Sequence, residues 1–256
     1  MTPTIQGIFF GLGAGAFWGL SFLIPKLFGD LTPGLLALSR CGGFALIASV
    51  VLLRSRSVSV LWGRHWRMAL WLSITGYSVY YYLLIFSIRY AGIPVSSLII
   101  GLLPLTISLA SRDTVRRKGL FRLSMGMIGL GILLLNVDGL RSLPLDPTNQ
   151  TAFFLGVFLS VISLASWTCF SVQNSRYLKA HREIDSAQWA AVLGVFSLLT
   201  MAPIALFDVW RDSHSIHADF TLLLHILVAM GILGFGCSYI ASVMWNVASK
   251  NLPTAV

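Results

Sequence analysis

Acidic residues are rare in this chain. Charged residues make up 11% of the 256 positions, and nine are acidic, with Glu183 the single glutamate. No aspartate or glutamate lies in the interior of a long apolar stretch, and no nucleotide-binding motif is present. These absences exclude ATP hydrolysis within this chain and argue against a buried carboxylate as a proton carrier. His225, near the end of an apolar stretch, is the remaining candidate for such a carrier.

Cysteine is also scarce. Cys41, Cys169 and Cys237 show neither disulfide nor zinc-ligand spacing. All three fall inside apolar stretches, where cysteine behaves as a small buried apolar residue. The sequence therefore predicts no disulfide, no metal site and no cofactor.

Apolar sequence fills the chain instead. Hydrophobic residues make up 56% of the positions and form eight continuous runs. A helix needs about 20 apolar residues to cross the hydrocarbon core, and the continuous rather than alternating pattern predicts helices. The runs cover residues 5–28, 31–53, 66–90, 93–111, 121–140, 151–178, 186–210 and 220–248.

Basic residues concentrate in every second loop between these runs, at Arg64, Arg117 and Lys179 among others. The intervening loops carry most of the aspartates. Because lysine and arginine stay on the cytoplasmic side, this pattern predicts a cytoplasmic amino terminus. The formal net charge of +9 therefore reflects membrane topology, and no nucleic-acid partner is expected.

Short motifs recur between the two parts of the chain. Residues 16–22 resemble 165–171, and residues 76–80 resemble 234–239. The predicted topology places the first and sixth runs in opposite orientations. Inverted repeats of this kind are typical of secondary transporters.

The predicted fold is therefore an all-α integral membrane protein, a polytopic helix bundle of two inverted five-helix repeats. The first repeat covers 1–140 with five helices. The second covers 151–256 with three helices and the start of a fourth. We expect eight full spans plus the start of a ninth, so that the second repeat is incomplete.

These features together resemble the drug/metabolite transporter (DMT) superfamily, EamA type, over nearly the whole chain. The resemblance rests on the repeat layout, the motif Phe-Trp-Gly-Leu-Ser-Phe at 17–22, Arg40, Pro104 and the motif Trp-Asn-Val-Ala at 245–248. Within the superfamily the chain is most similar in kind to YddG-like exporters of amino acids and metabolites. The resemblance implies a multi-pass protein of the cell inner membrane that exports small metabolites by alternating access. Aromatic or apolar amino acids are the expected substrates.

Five aromatic residues are candidates for lining a binding cavity between the repeats. Trp18 and Trp167 lie well inside their runs and are repeat partners, with lipid or core packing as the alternative. Tyr77 and Tyr81 are four residues apart and share one helix face, and Tyr239 is their counterpart. Interhelical hydrogen bonding is the alternative for the tyrosines.

Polar residues inside the runs complete the candidate site. Asn174 and Asn246 are costly to expose to lipid, although water could solvate them near the cytoplasmic ends. Ser21 belongs to the motif that carries the family resemblance. A structural role is favoured for Arg40, and close helix packing is favoured for the small-residue stripe at Gly11, Gly15 and Gly19.

The expected function is secondary transport of a small molecule across the lipid bilayer, without a catalytic residue and by downhill flux or exchange through a neutral cavity. A monomer is favoured. A non-transporting scaffold or sensor is one alternative. A membrane-embedded enzyme is a weaker one, since its candidate metal ligands lie in one outer loop, at Asp212, His214, His217 and Asp219.

Overall fold

The computed structural model describes residues 2–55, 58–111, 150–213 and 219–252, with isolated positions between 119 and 134. Every regular element within these ranges is a helix. The α-helices are α1 (Pro3–Gly19), α2 (Ile24–Leu27), α3 (Pro33–Arg54), α4 (Val58–Ser73), α5 (Tyr80–Ile100), α6 (Leu103–Ser111), α7 (Gln150–Ala180), α8 (Ser186–Arg211), α9 (Phe220–Ala229) and α10 (Ala241–Asn251). A short 3-10 helix (Leu20–Phe22) joins α1 to α2. Two π-helices interrupt the longer helices, π1 (Ile74–Val79) between α4 and α5 and π2 (Met230–Ile240) between α9 and α10.

Side-chain caps explain where several helices begin. Thr2 and Thr32 accept hydrogen bonds from backbone N–H groups three residues ahead, at 3.4 and 3.2 Å. Asp185 and Asp219 do the same for α8 and α9. A capping oxygen satisfies a backbone donor that has no partner inside the helix. These four residues therefore fix the entry points of long apolar helices.

Six helices within the described ranges are long and apolar enough to cross a membrane. They are Pro3–Leu27, Pro33–Arg54, Gly63–Ile100, Gln150–Ala180, Ser186–Arg211 and Phe220–Asn251. Large apolar side chains on several of them are exposed, for example Leu12, Leu53 and Phe220, as lipid contact requires. The prediction of an all-α membrane protein is confirmed.

The third and fourth predicted runs correspond to one interrupted helix followed by α6. A straight helix of 38 residues, the length of Gly63–Ile100, would extend about 57 Å, far beyond the roughly 30 Å hydrocarbon core. Gly92 interrupts it with φ 83° and ψ 164°, a conformation open to glycine and strained for other residues. The break falls at the boundary between the two runs. The fifth run, 121–140, lies mostly outside the described residues.

The described chain divides into two compact units. The described residues of unit 1 lie in Met1–Ser78 and Gln173–Leu252, and those of unit 2 lie in Val79–Val172. Each unit contains parts of both predicted repeats, so the units are not the repeats themselves. The repeat boundaries stay a prediction.

Helix α3 is the centre of unit 1, packed along α8 and against π2. Glycines make these contacts close. A Cβ added to Gly234 would lie 2.6 Å from the Cα of Gly43, and one added to Gly194 would lie 2.8 Å from the Phe44 ring. The backbones of α3 and π2 are therefore in direct contact, as is usual where small residues face each other in membrane proteins.

Helix α1 packs against α10 through glycines in its first part, one turn nearer the amino terminus than the predicted stripe, and through Gly13, which lies off that stripe. A Cβ on Gly7 would lie 2.7 Å from Leu252, and one on Gly13 would overlap the Met244 side chain. A Cβ added to Gly15 or Gly19 would meet no other described residue within 4 Å outside its own helix. Of the predicted stripe, Gly11 alone has such a neighbour, since an added Cβ would lie 3.8 Å from the Cβ of Ala248.

Hydroxyl pairs and one close approach connect the helices of unit 2. Ser87 hydrogen-bonds both Ser96 and Ser160, and Thr106 pairs with Thr168 at 2.8 Å. Gly156 of α7 lies against α5, where an added Cβ would be 2.6 Å from the backbone nitrogen of Ala91. These contacts hold α7 against α5 and α6 without burying a charged group.

Candidate functional site

The two π-helices place polar side chains in the interior of unit 1. The Tyr77 hydroxyl of π1 pairs with the Ser242 hydroxyl at 2.6 Å, and the Arg40 guanidinium of α3 donates from Nε to Ser238 of π2 at 2.9 Å. All four residues are buried, at 2% exposure or less. A wide π turn redirects side chains that a regular helix would place elsewhere, and such turns often occur at functional sites.

Aromatic rings adjoin these polar groups. The Phe44 ring of α3 lies between Tyr77, at 5.2 Å between centroids, and Tyr239, at 6.4 Å. Phe235 stacks on Tyr239 at 6.5 Å and 11°. We use the name Tyr77 cluster for Tyr77, Ser242, Arg40, Ser238, Phe44 and Tyr239. The cluster combines a cation, hydroxyl groups and aromatic faces in one interior region.

The end of α1 lies beside π2 and α10. The Trp18 ring is 5.5 Å from that of Trp245, and the Cys237 thiol donates to the carbonyl oxygen of Phe17 at 3.0 Å. Ser21, in the 3-10 helix, is buried at 2% exposure. Trp18 and Ser21 therefore belong to unit 1, on the side of π2 that faces α1.

Asn174 and Asn246 form a hydrogen-bonded chain through the interior. The Trp189 indole donates to Asn174 at 2.9 Å, Asn174 donates to Asn246 at 3.0 Å, and Asn246 donates to the carbonyl oxygen of Ser186 at 3.2 Å. Both asparagines are at most 1% exposed, so the alternative of solvation by water is wrong. We call these four residues the amide chain. It connects α7, α8 and α10.

Tyr81 and Trp167 lie in unit 2. Tyr81 is fully buried, and Trp167 is 2% exposed. The Trp167 ring contacts Tyr80 at 4.4 Å and Phe170 at 5.0 Å. The structure thus groups Trp18, Ser21, Tyr77, Asn174, Tyr239 and Asn246 in unit 1, and Tyr81 with Trp167 in unit 2. A common space lined by all of them stays a prediction.

An aromatic and histidine cluster that the sequence did not predict lies at one end of unit 1. His65 of α4 is 5% exposed, and its Nδ1 hydrogen-bonds the Tyr177 hydroxyl. The His181 ring lies 5.3 Å from the His65 ring, and Trp189 stacks on Tyr177 at 5.3 Å. We call these four residues the His65 cluster. The spacing of Tyr177 and His181, four apart on one helix face, was the available signal.

A buried acid near the opposite end of α8 was also missed. Asp208 is 1% exposed and pairs with Arg211 at 3.0 Å. Gly34 of α3 makes room for it, since an added Cβ would lie 2.8 Å from the Asp208 Cβ. The i,i+3 spacing of Asp208 and Arg211 was visible in the sequence. A second acid, Asp30, pairs with His225 at 2.7 Å.

No group of three or more histidine, cysteine or acidic side chains that could hold a metal ion occurs among the described residues. Asp212 contacts Arg211 at 3.0 Å, and Asp219 caps α9. His214 and His217 lie outside the described residues.

Comparison with known proteins supports the conclusion that this is a membrane protein. The chain is similar to the inner membrane protein YtfF of Escherichia coli (strain K12), with 28% identity over 272 aligned residues, which cover 98% of this chain and 82% of the relative. A crystal structure described only as that of a protein matches with a TM-score of 0.72 and 20% identity, covering 96% of this chain and 79% of the other. At that identity the match shows the fold alone. No family model matches. The apolar helices and the likeness to an inner membrane protein support a membrane-embedded protein, and its described residues form helices alone as regular elements.

Proposed function

We propose that this protein is a secondary transporter of the EamA type that exports small metabolites, such as aromatic or apolar amino acids, across the inner membrane by alternating access. One observation carries the proposal. Residues 76–80 and 234–239, which resemble each other in sequence, both lie largely within π-helices. Matching irregularities at matching positions support two repeats with a common origin. Repeats in opposite orientation are a hallmark of secondary transporters.

The composition of the Tyr77 cluster supports an amino acid as substrate. Aromatic faces at Phe44 and Tyr239 suit an aromatic or apolar side chain. The guanidinium of Arg40 and the hydroxyls of Tyr77 and Ser242 suit a carboxylate and an amino group. Under this proposal Trp18, Ser21, Tyr81 and Trp167 complete the substrate path, the amide chain borders it, and the protein is not an enzyme.

Transport is tested by flux. Purified protein in vesicles should accumulate or release radiolabelled phenylalanine along its gradient, and an expressing strain should resist one or more members of a panel of toxic amino acids and metabolites. Empty vesicles provide the baseline. Flux at baseline for the whole panel would favour the scaffold or sensor alternative, and hydrolytic or transferase turnover would favour the enzyme.

The proposed orientation predicts a labelling pattern. In a background with Cys41, Cys169 and Cys237 replaced by alanine, single cysteines at Ser142 and Ser213 should react with an impermeant thiol reagent added outside intact cells. A cysteine at Ser57 should react only after the membrane is opened, because its loop is basic and stays cytoplasmic. The reverse pattern would invert the topology and the direction of export.

Alanine at Trp18 or Trp167 should change substrate selectivity more than protein level. Removing an indole face should lower flux of aromatic substrates by about tenfold, since one aromatic contact is worth roughly 0.5–1.5 kcal/mol beyond the apolar area it buries. Competition between phenylalanine and alanine measures this effect. Trp210, which is 72% exposed, provides the control W210A. Reduced protein level with unchanged selectivity would assign the two tryptophans to packing instead.

A further inference from the structure

His65 is a buried titratable residue that is in contact with three other rings. It lies at the start of the membrane-crossing helix Gly63–Ile100 and is 5% exposed. Its ring meets three others edge to face: Tyr177 at 5.8 Å, His181 at 5.3 Å and Trp189 at 6.4 Å. Burying an imidazole among rings is costly unless its nitrogens have partners. Here Nδ1 has one, the Tyr177 hydroxyl.

We propose that His65 is a proton-binding residue that makes transport depend on the pH of the compartment facing this end of unit 1. The inference rests on the proposed transport function. Under the predicted orientation that compartment is the cytoplasm. Histidine is the side chain whose unperturbed charge changes between pH 5 and 8. It can therefore bind and release a proton at this end of unit 1, whereas the buried carboxylate of Asp208 is paired with Arg211.

The hydrogen bond to Tyr177 allows His65 to gain a proton without losing its partner. A neutral imidazole accepts from the phenol through Nδ1. An imidazolium donates from Nδ1 to the phenol oxygen, and the hydroxyl hydrogen turns away. The same two heavy atoms thus stay paired in both states, and only the direction of donation reverses.

Several charged or titratable groups lie close enough to His65 to interact with a proton bound there. Arg64 on the same helix, His181 beyond the end of α7 and Glu183 in the following loop are its charged or titratable neighbours, together with Tyr177. Because a carbonyl oxygen only accepts, His181 donates from Nδ1 to the Tyr177 carbonyl oxygen at 3.0 Å. The His181 ring lies 5.3 Å from that of His65, so a positive charge on one ring would be repelled by a positive charge on the other.

The cluster connects this charge to helix packing. Tyr177 stacks on Trp189 at 5.3 Å and 25°, and the Trp189 indole begins the amide chain. His65 therefore adjoins the place where α4, α7, α8 and α10 meet within unit 1. A proton here biases the packing of α4 against α7 and α8, which is the kind of local charge change that shifts a transporter between states.

Two measurements test the proposal on the full-length protein. Histidine-selective isotope labelling gives ring NMR signals for the five histidines, and H65Q identifies the signal of His65. That signal should titrate between pH 5 and 8. Phenylalanine flux in vesicles should vary with the pH on the cytoplasmic side, by up to about tenfold per pH unit over the range where one proton binds. In H65Q the same range should change flux less than twofold.

Two further variants, Y177F and H225Q, separate the effect of His65 from that of another histidine. Y177F keeps the ring stack but removes the hydroxyl, so it should move the His65 titration and the pH profile together. H225Q removes a histidine that pairs with Asp30 in another part of unit 1 and should keep the wild-type profile. If H65Q and Y177F do not fold, the wild-type NMR titration still tests whether His65 binds a proton, and H65N tests whether flux depends on it.

Several outcomes would overturn the inference. A His65 signal that does not change from pH 5 to 8 would remove the proton site, whatever the flux. A titrating His65 with an unchanged pH profile in H65Q, or a profile lost in H225Q instead, would remove the coupling. A titrating His65 in a protein without flux at any pH would uphold the proton site and overturn the proposed transport function.

Discussion

Alanine at Gly43 is expected to destabilise unit 1 severely. A Cβ at this position would overlap the carbonyl oxygen of Met230 and lie 3.0 Å from its Cα. These are backbone atoms of π2, so no side-chain rotation relieves the overlap. Overpacking typically costs about 1–3 kcal/mol, and we expect G43A at the upper end of that range.

Thermal unfolding with a thiol-reactive dye measures this effect, since Cys41 and Cys237 are buried and become reactive on unfolding. The neighbouring glycine is the matched control. A Cβ on Gly42 would lie 3.9 Å from the Met230 methyl group, an ordinary contact. G42A should therefore unfold within about 1 kcal/mol of the wild type, as a helix glycine replaced by alanine. Equal stabilities for G43A and G42A would show that α3 and π2 are farther apart than described.

Alanine at Asn174 is expected to have the second largest effect on stability. The substitution leaves two buried groups without their partner, the Trp189 indole and the Asn246 carbonyl oxygen. Hydrogen bonds between membrane helices average about 0.6 kcal/mol, but an orphaned buried group costs about 1–3 kcal/mol. We therefore expect N174A to cost about 2 kcal/mol, and N174A with N246A to cost less than the sum of the single changes.

The same unfolding assay measures this prediction, and S249A is its control. The Ser249 hydroxyl is buried but has no hydrogen-bond partner among the described residues, so its removal should be neutral. Flux separates structure from binding at Asn174. A variant with wild-type stability and lost flux would make Asn174 a substrate contact, as the sequence predicts, and would contradict the structural role.

Membrane character could be predicted from the sequence because it depends on composition over long segments. Run 31–53 became Pro33–Arg54 and run 186–210 became Ser186–Arg211, each within two residues. Apolar length fixes such spans regardless of what packs against them. The break at Gly92 also followed from the pattern, because the sequence there loses its apolar continuity.

Contacts between helices could not be predicted in the same way. Asn174 and Asn246 are 72 residues apart, and His65 and Tyr177 are 112 apart, so no local pattern indicates that they meet. The extent of packing along the small-residue stripe of α1 could not be predicted for a related reason. An α-helix has 3.6 residues per turn, so glycines four apart share a face, but how much of that face meets α10 depends on residues outside the stripe. The π-helices, set by tertiary packing, had no local signal beyond their shared sequence.

The paired π-helices bear on how this chain arose. A π turn closes a hydrogen bond one residue later than an α turn, so it accommodates one inserted residue while the flanking helices keep their form. If the repeats descend from one ancestor, a single insertion that was copied by gene duplication accounts for both π1 and π2. Without it, two separate insertions would have had to occur at matching places. The insertion is then older than the duplication. Since the proposed repeats have opposite orientations, their undivided ancestor would have entered the membrane both ways round and assembled with its own inverted copy.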